Sequence, residues 1–184
     1  MGDPRRLKNK YKRPKKLWDT ARLGVEKKLK SDYALKNMRE LWVCVQELKK
    51  YRHEARRLLS ITEDERKDDA VKILTKLNKF GILEKTASLD DVLSLTVRNV
   101  LERRLQTLVF KKGLAKSMRQ SRQLITHGFI SVGGRRVSSP GHLLNASEES
   151  MIAYARQIDL SVKEPVPVKE ETTPPAPESA PAAG

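Results

Sequence analysis

The chain has 184 residues, 38 of them Lys or Arg and 23 Asp or Glu, giving a formal net charge of +15. Charge so far from zero costs self-repulsion unless a polyanion offsets it, so the composition points to an anionic partner. The longest unbroken apolar run, residues 41–45, falls far short of the roughly 20 residues that cross a bilayer, and no membrane association is expected.

Positive charge lies in two blocks. Residues 1–60 carry a net +12 and residues 101–160 a net +6, whereas 61–100 carry −1 and 161–184 carry −2. The two basic blocks are the candidate contact surfaces. Residues 1–16 hold Arg5, Arg6, Lys8, Lys10, Lys12, Arg13, Lys15 and Lys16 without an apolar period, the pattern of a basic arm that orders only against its partner. That start also lacks the apolar core of a secretory leader, so a soluble, cytoplasmic protein is expected.

Residues 17–100 read as a helical region. Leu35, Met38, Leu41, Trp42, Val45, Leu48, Ala55, Leu58 and Leu59 recur at steps of three and four, one face of a long helix. Thr62 with Glu65 forms a capping-box pattern for a second helix, which runs through Val71, Leu74 and Leu77 and stops at Gly81. Ser88 with Asp91 opens a short third one. Thr96 caps a segment over residues 97–112, which Gly113 ends.

From residue 101 to 158 the expectation is a smaller module. Ser117 is the N-cap of a helix over residues 118–127, with Gly128 as its terminator. Phe129 to Val132, Gly133-Gly134 and Arg135 to Val137 form a hairpin, because two glycines supply the positive φ angles of a type I′ turn. Ser139-Pro140-Gly141 marks a further turn, and residues 151–154 a last strand. Residues 159–184, with six prolines, several glutamates and no aromatic side chain, read as a disordered acidic tail. The fold class is therefore α+β, helical first and β-rich after about residue 127.

Little in the chain argues for catalysis. His53, His127 and His142 have no ligand-type neighbours at metal spacing, and Cys44, the single cysteine, sits between Val43 and Val45 as a small buried residue would. Phosphate-loop, dinucleotide and nucleophile-elbow motifs are missing. No enzyme activity, cofactor, metal or small-molecule substrate is expected. The informative stretch is residues 117–127, where Arg119, Arg122, Gln123 and Thr126 share one helical face and Met118, Ser121, Leu124 and Ile125 the other. Lys111, Lys112 and Lys116 precede it, and Arg135 and Arg136 follow. Between Arg103 and Ala146 there are nine Lys or Arg and no Asp or Glu. Such a face suits phosphate, which Arg, Lys, Ser and helix N-termini all bind. A helix-turn-helix contact with DNA remains open on these residues, although no dimerising heptad accompanies it.

The run Leu101-Glu102-Arg103-Arg104-Leu105-Gln106-Thr107, then Gly113-Leu114-Ala115-Lys116-Ser117 and Ser121-Arg122-Gln123-Leu124-Ile125, resembles small-subunit ribosomal proteins of the S-four family, archaeal and eukaryotic type. His127-Gly128, Ile130-Ser131-Val132 and Gly134-Arg135-Arg136-Val137 continue the likeness, which covers residues 1 to about 158 and includes an S-four RNA-binding domain of two packed helices and a small antiparallel sheet. The resemblance implies a structural constituent of the small ribosomal subunit that binds 16S ribosomal RNA directly and nucleates assembly of the subunit body. It further implies contact with ribosomal protein five, a contribution to translational accuracy, and a place near messenger RNA at its entrance. Carried over by residue, the RNA face comprises Arg104, Lys116, Ser117, Arg119, Arg122, Gln123, His127 and Arg135, and the charge pattern adds Arg103, Lys111, Lys112, Arg136 and the arm. Where many members have Asn at the hairpin tip this chain has Gly133, which is assigned no contact. A non-ribosomal S-four protein, such as an RNA chaperone or modification factor, would share residues 103–137.

Overall fold

The structure, a computed structural model, describes residues 9–156. The expectations for Arg5, Arg6, Lys8 and the acidic tail lie outside the described residues. Helix α1, Thr20–Asp32, is capped by Asp19, whose side chain accepts from the Arg22 N–H. Helix α2, Met38–Leu59, is capped by Asn37 and forms the spine of the first half. The apolar stripe read from Leu35 onward therefore begins one turn late: Leu35 is buried, but in the connection before α2. Helix α3, Glu63–Lys79, ends at Gly81 with φ +65°, but Thr62 makes no side-chain cap bond, so the capping box expected there does not form. Short helices α4, Leu89–Ser94, and α5, Val97–Glu102, are both opened by capping boxes, Ser88 with Asp91 and Thr96 with Asn99.

The segment expected to be continuous over 97–112 is broken. α5 stops at Glu102 and α6, Leu105–Lys111, starts afresh after Arg104, which is extended at φ −73°, ψ 142°. The break is stabilised from across the chain. Leu105 and Gln106 donate their N–H groups to the carbonyls of His142 and Pro140 (2.8 and 3.3 Å), and Leu144 donates to Arg103 (3.3 Å). The orphan donors of a new helix start are thus satisfied by the 139–144 loop rather than by a cap side chain.

Helix α7, Met118–Thr126, then leads through Gly128 into β1, Ile130–Val132, and β2, Arg135–Arg136. Gly133 and Gly134 have φ +55° and +77°, as the two-residue turn demands. A short α8, Ala146–Glu149, precedes β3, Ile152–Tyr154, and the sheet order is β2-β1-β3, antiparallel throughout.

Two apolar cores result. One gathers Leu29, Leu41, Leu48, Ala55, Leu77, Val92 and Leu101 around α2; the other gathers Leu105, Leu108, Val109, Leu124, Ile125, Ile130, Leu144 and Ile152. They meet at the α5–α6 break, and polar groups lock them together. Glu40, in the first turn of α2, accepts from Arg104 Nη2 at 2.8 Å and Arg122 Nη2 at 2.5 Å. Gln106 donates its side-chain amide to the carbonyls of Tyr33 (3.2 Å) and Met118 (2.9 Å), and the Ser121 hydroxyl donates to the Gln106 carbonyl (2.6 Å). Burial alone would raise the Glu40 pKa, but the hydrogen bonds and charges of Arg122 and Arg104 hold it below the ordinary 4.5.

Four substitutions test this account. Glu40→Ala strands two guanidinium groups that are already only partly bonded, and should cost about 3–5 kcal/mol in urea unfolding. A carboxylate with a depressed folded pKa contributes stability above its unfolded pKa and loses it as pH falls through the folded value. The wild type should therefore lose stability below pH 4.5, and Glu40→Gln should lack that component. Gly128 has φ +73°, and a Cβ there would lie 2.0 Å from Arg136 Nε. Gly128→Ala should thus destabilise by about 1–2 kcal/mol. Gly24→Ala, on open surface within α1, should stabilise by about 0.5–1 kcal/mol, read from the thermal midpoint.

Candidate nucleic-acid interface

Helix α7 presents its N-terminus through Ser117, which accepts from the Gln120 N–H at 3.2 Å, while the Lys116 N–H donates to Gln120 Oε1 at 2.6 Å. Both bonds hold the start of the helix in one conformation and leave the Lys116 side chain exposed. Ser121, Leu124 and Ile125 are buried, so the opposite face with Arg119 and Gln123 must point to solvent. His127 is exposed at the C-cap, and its ring lies 6.4 Å from that of Phe129. Arg135 and Arg136 are exposed on β2, with the Arg136 guanidinium over Gly128. Lys116, Arg119, Gln123, His127, Arg135 and Arg136 are thus all exposed around the second core. Of the arm, Lys10, Lys12, Arg13, Lys15 and Lys16 are described, and all are exposed.

The structure places five other candidates differently. Arg104 is only 4% exposed and is bonded to Glu40, so the expectation that it sits on the contact face is corrected. Arg122, one turn from Arg119 on α7, is half-buried (18% exposed), turns toward α2 and shares the same carboxylate, so of the two only Arg119 stands free in solvent. A polar face read from helical spacing cannot reveal that a glutamate 82 residues earlier will claim one of its cations. Arg103 is half-buried against Glu149 at 2.9 Å. Lys111 pairs with Glu102 at 3.1 Å, and Lys112 donates to the Ser150 carbonyl at 3.0 Å. These last two contacts are exposed and weak enough to exchange for a phosphate.

Where α1 and the α1–α2 connection approach α7, a groove of about 540 Å³ is lined by Lys27, Lys30, Lys36, Met38, Arg119 and Arg122, with no acidic residue in its wall. Lys27, Lys30 and Lys36 were absent from the candidates read from sequence. The signal available was the high charge of residues 1–60, together with the i, i+3 spacing of Lys27 and Lys30. Because α1 buries Leu29 alone, it offers no apolar stripe, so although residues 17–100 read as helical its bounds and its cationic face were not legible. Unlike a single reading helix, the groove joins cations from both basic blocks in one wall.

Other chemistry finds less to work with. Burial pushes the Cys44 thiol up to about 11, the opposite of what a nucleophile needs. Among the described residues no group of His, Cys, Asp and Glu is arranged to hold a metal ion, and no helix is long and apolar enough to cross a membrane.

Comparison with known proteins agrees with this geometry. The S4 domain family matches residues 103–150, the segment from the α5–α6 break to the end of α8. A protein of Ignicoccus hospitalis named small ribosomal subunit protein uS4 is 49% identical over 155 residues, covering 84% of this chain and 93% of the relative. The protein of the same name from Saccharolobus solfataricus is 44% identical over 172 residues, or 93% of this chain and 95% of the relative. That span is longer than residues 1–158, so the likeness extends into the tail, beyond where it was expected to stop. With its two cores, its S4 domain and this degree of identity over most of its length, the chain belongs to the uS4 family of small ribosomal subunit proteins.

Proposed function

We propose that the protein is a structural constituent of the small ribosomal subunit and binds 16S ribosomal RNA through the edge where its two cores meet. The observation that carries this is the 49% identity, over 84% of the chain, with a relative named for that subunit. The groove that carries Lys27, Lys30, Lys36 and Arg119 without an acidic residue supports it, since RNA binding of this kind is dominated by phosphate contacts. The family further supports early, direct binding that nucleates assembly of the subunit body in the cytoplasm. Contact with ribosomal protein five, a share in translational accuracy and proximity to messenger RNA at its entrance belong to the same proposal. No catalytic step is assigned to it.

Co-sedimentation with small ribosomal subunits through a high-salt gradient tests the assignment directly. Binding to the RNA should fall with salt at a log–log slope of about −0.7 to −0.9 per phosphate contacted, and a slope shallower than about −2 would remove the basic edge as the contact. Replacing Lys27 and Arg119 by Ala should weaken binding by roughly 2–4 kcal/mol while leaving the unfolding midpoint unchanged, because both cations are exposed. Arg122→Ala, by contrast, should lower stability and binding together. Lys76→Ala with Lys79→Ala removes as much charge from α3 and should matter far less; equal losses would mean that only total charge counts.

A further inference from the structure

The two tryptophans of the chain have opposite environments. Trp42, on α2, donates its indole N–H to Glu26 Oε2 at 3.4 Å and lies against the Tyr11 ring, with centroids 6.0 Å apart. Trp18, at the turn before α1, is 89% exposed, and among the described residues it makes no hydrogen bond or ring contact. Leu17 beside it is 59% exposed. An indole is normally among the most deeply buried side chains by area, so one held in water forgoes a large stabilisation.

The turn that carries Trp18 is firmly held. Arg22 Nη2 reaches back from α1 and donates to the carbonyls of Lys16 at 2.8 Å and Leu17 at 3.1 Å. Its Nη1 is paired with Glu26 at 2.8 Å, and that same carboxylate receives the Trp42 indole. Asp19, the residue after Trp18, is occupied in capping α1. Arm, turn and spine are therefore linked in series, Tyr11 to Trp42 to Glu26 to Arg22 to the backbone of residues 16 and 17. The purpose of such fixing cannot be to bury Trp18. It presents the ring.

What the ring meets is indicated by its neighbours. Lys12, Arg13, Lys15 and Lys16 are all exposed in the adjoining arm, and the nearest carboxylate in sequence is already bonded to the helix it caps. The core of a protein–protein contact is depleted in lysine, whereas an aromatic face amid exposed cations is how unpaired nucleotides are held, base on ring and phosphate on ammonium. We infer that Trp18 is a stacking platform for one unpaired base of the bound RNA, with Lys15 and Lys16 on its flanking phosphates; this rests on the RNA-binding function proposed above and adds a site to it.

The full chain bound to small-subunit ribosomal RNA of Ignicoccus hospitalis provides the test. Ultraviolet irradiation should leave a nucleotide adduct on Trp18, identified by mass spectrometry, and binding should quench the exposed indole emission. Trp18→Ala should weaken binding on the order of tenfold, and Trp18→Phe should retain most of it. Making the adduct-forming nucleotide abasic should cost the same factor, with no further loss when combined with Trp18→Ala. Unchanged affinity in Trp18→Ala, with the wild-type salt dependence intact, overturns the stacking site and leaves the RNA-binding function standing. If that variant binds naked RNA normally yet is lost from assembled subunits at high salt, a protein neighbour covers the ring and the inference is wrong. Failure of the wild type to bind the RNA would overturn both.

Discussion

The carboxylate of Glu40 is the charged group on which the two halves of the molecule converge, bonded to Arg104 and Arg122 of the second core. It stands in the first turn of α2, where the helix N-terminus favours an anion, and it engages two guanidinium groups of the second core. Apolar contact alone would leave the cores free to slide, since such contact has little direction. A carboxylate shared by Arg104 and Arg122, with Gln106 spanning the carbonyls of Tyr33 and Met118, gives the interface fixed geometry. The arrangement has a cost in desolvation, visible in the guanidinium nitrogens of Arg104 and Arg122 that are left without partners. It is better understood as fixing orientation than as adding stability.

That orientation matters because the cationic groove is made by both halves. Lys27, Lys30 and Lys36 come from α1 and the connection after it, Arg119 from α7, and neither half alone has the wall. Arg122 lines the groove and is bonded to Glu40, so the interaction that joins the halves also fixes one of the groove's own cations. The net charge of +15 is accordingly divided into two kinds of cation. Arg103, Arg104 and Arg122 are spent on carboxylates within the protein; Lys116, Arg119, Arg135 and Arg136 stay in water.

A similar logic governs the arm. Residues 9–16 form neither helix nor strand, yet Tyr11 packs on Trp42 and Arg22 holds the carbonyls of residues 16 and 17. This part of the arm thus already touches the helical region through the Tyr11 ring and the carbonyls of residues 16 and 17. A few directed bonds suffice to position a segment that has no apolar surface of its own to bury.

Much of the architecture was legible from local chemistry. Ser88, Thr96 and Ser117 cap helices, Gly81, Gly113 and Gly128 take up positive φ at helix ends, and Gly133-Gly134 makes the hairpin, because caps and turns depend on residues within a few positions of one another. The stripe on α2 and the inward face of α7 were equally plain, since burial of one helical face imposes its own period. The bounds of α1 were not, for it buries one leucine, and neither was the break at Arg104, whose backbone partners lie near residue 140. An excess of cations in two blocks follows from the sequence alone. Which of them stay exposed was decided only by tertiary structure, because Glu40 takes Arg104 from 64 residues away and Arg122 from 82, and a sequence pattern carries no record of such pairings.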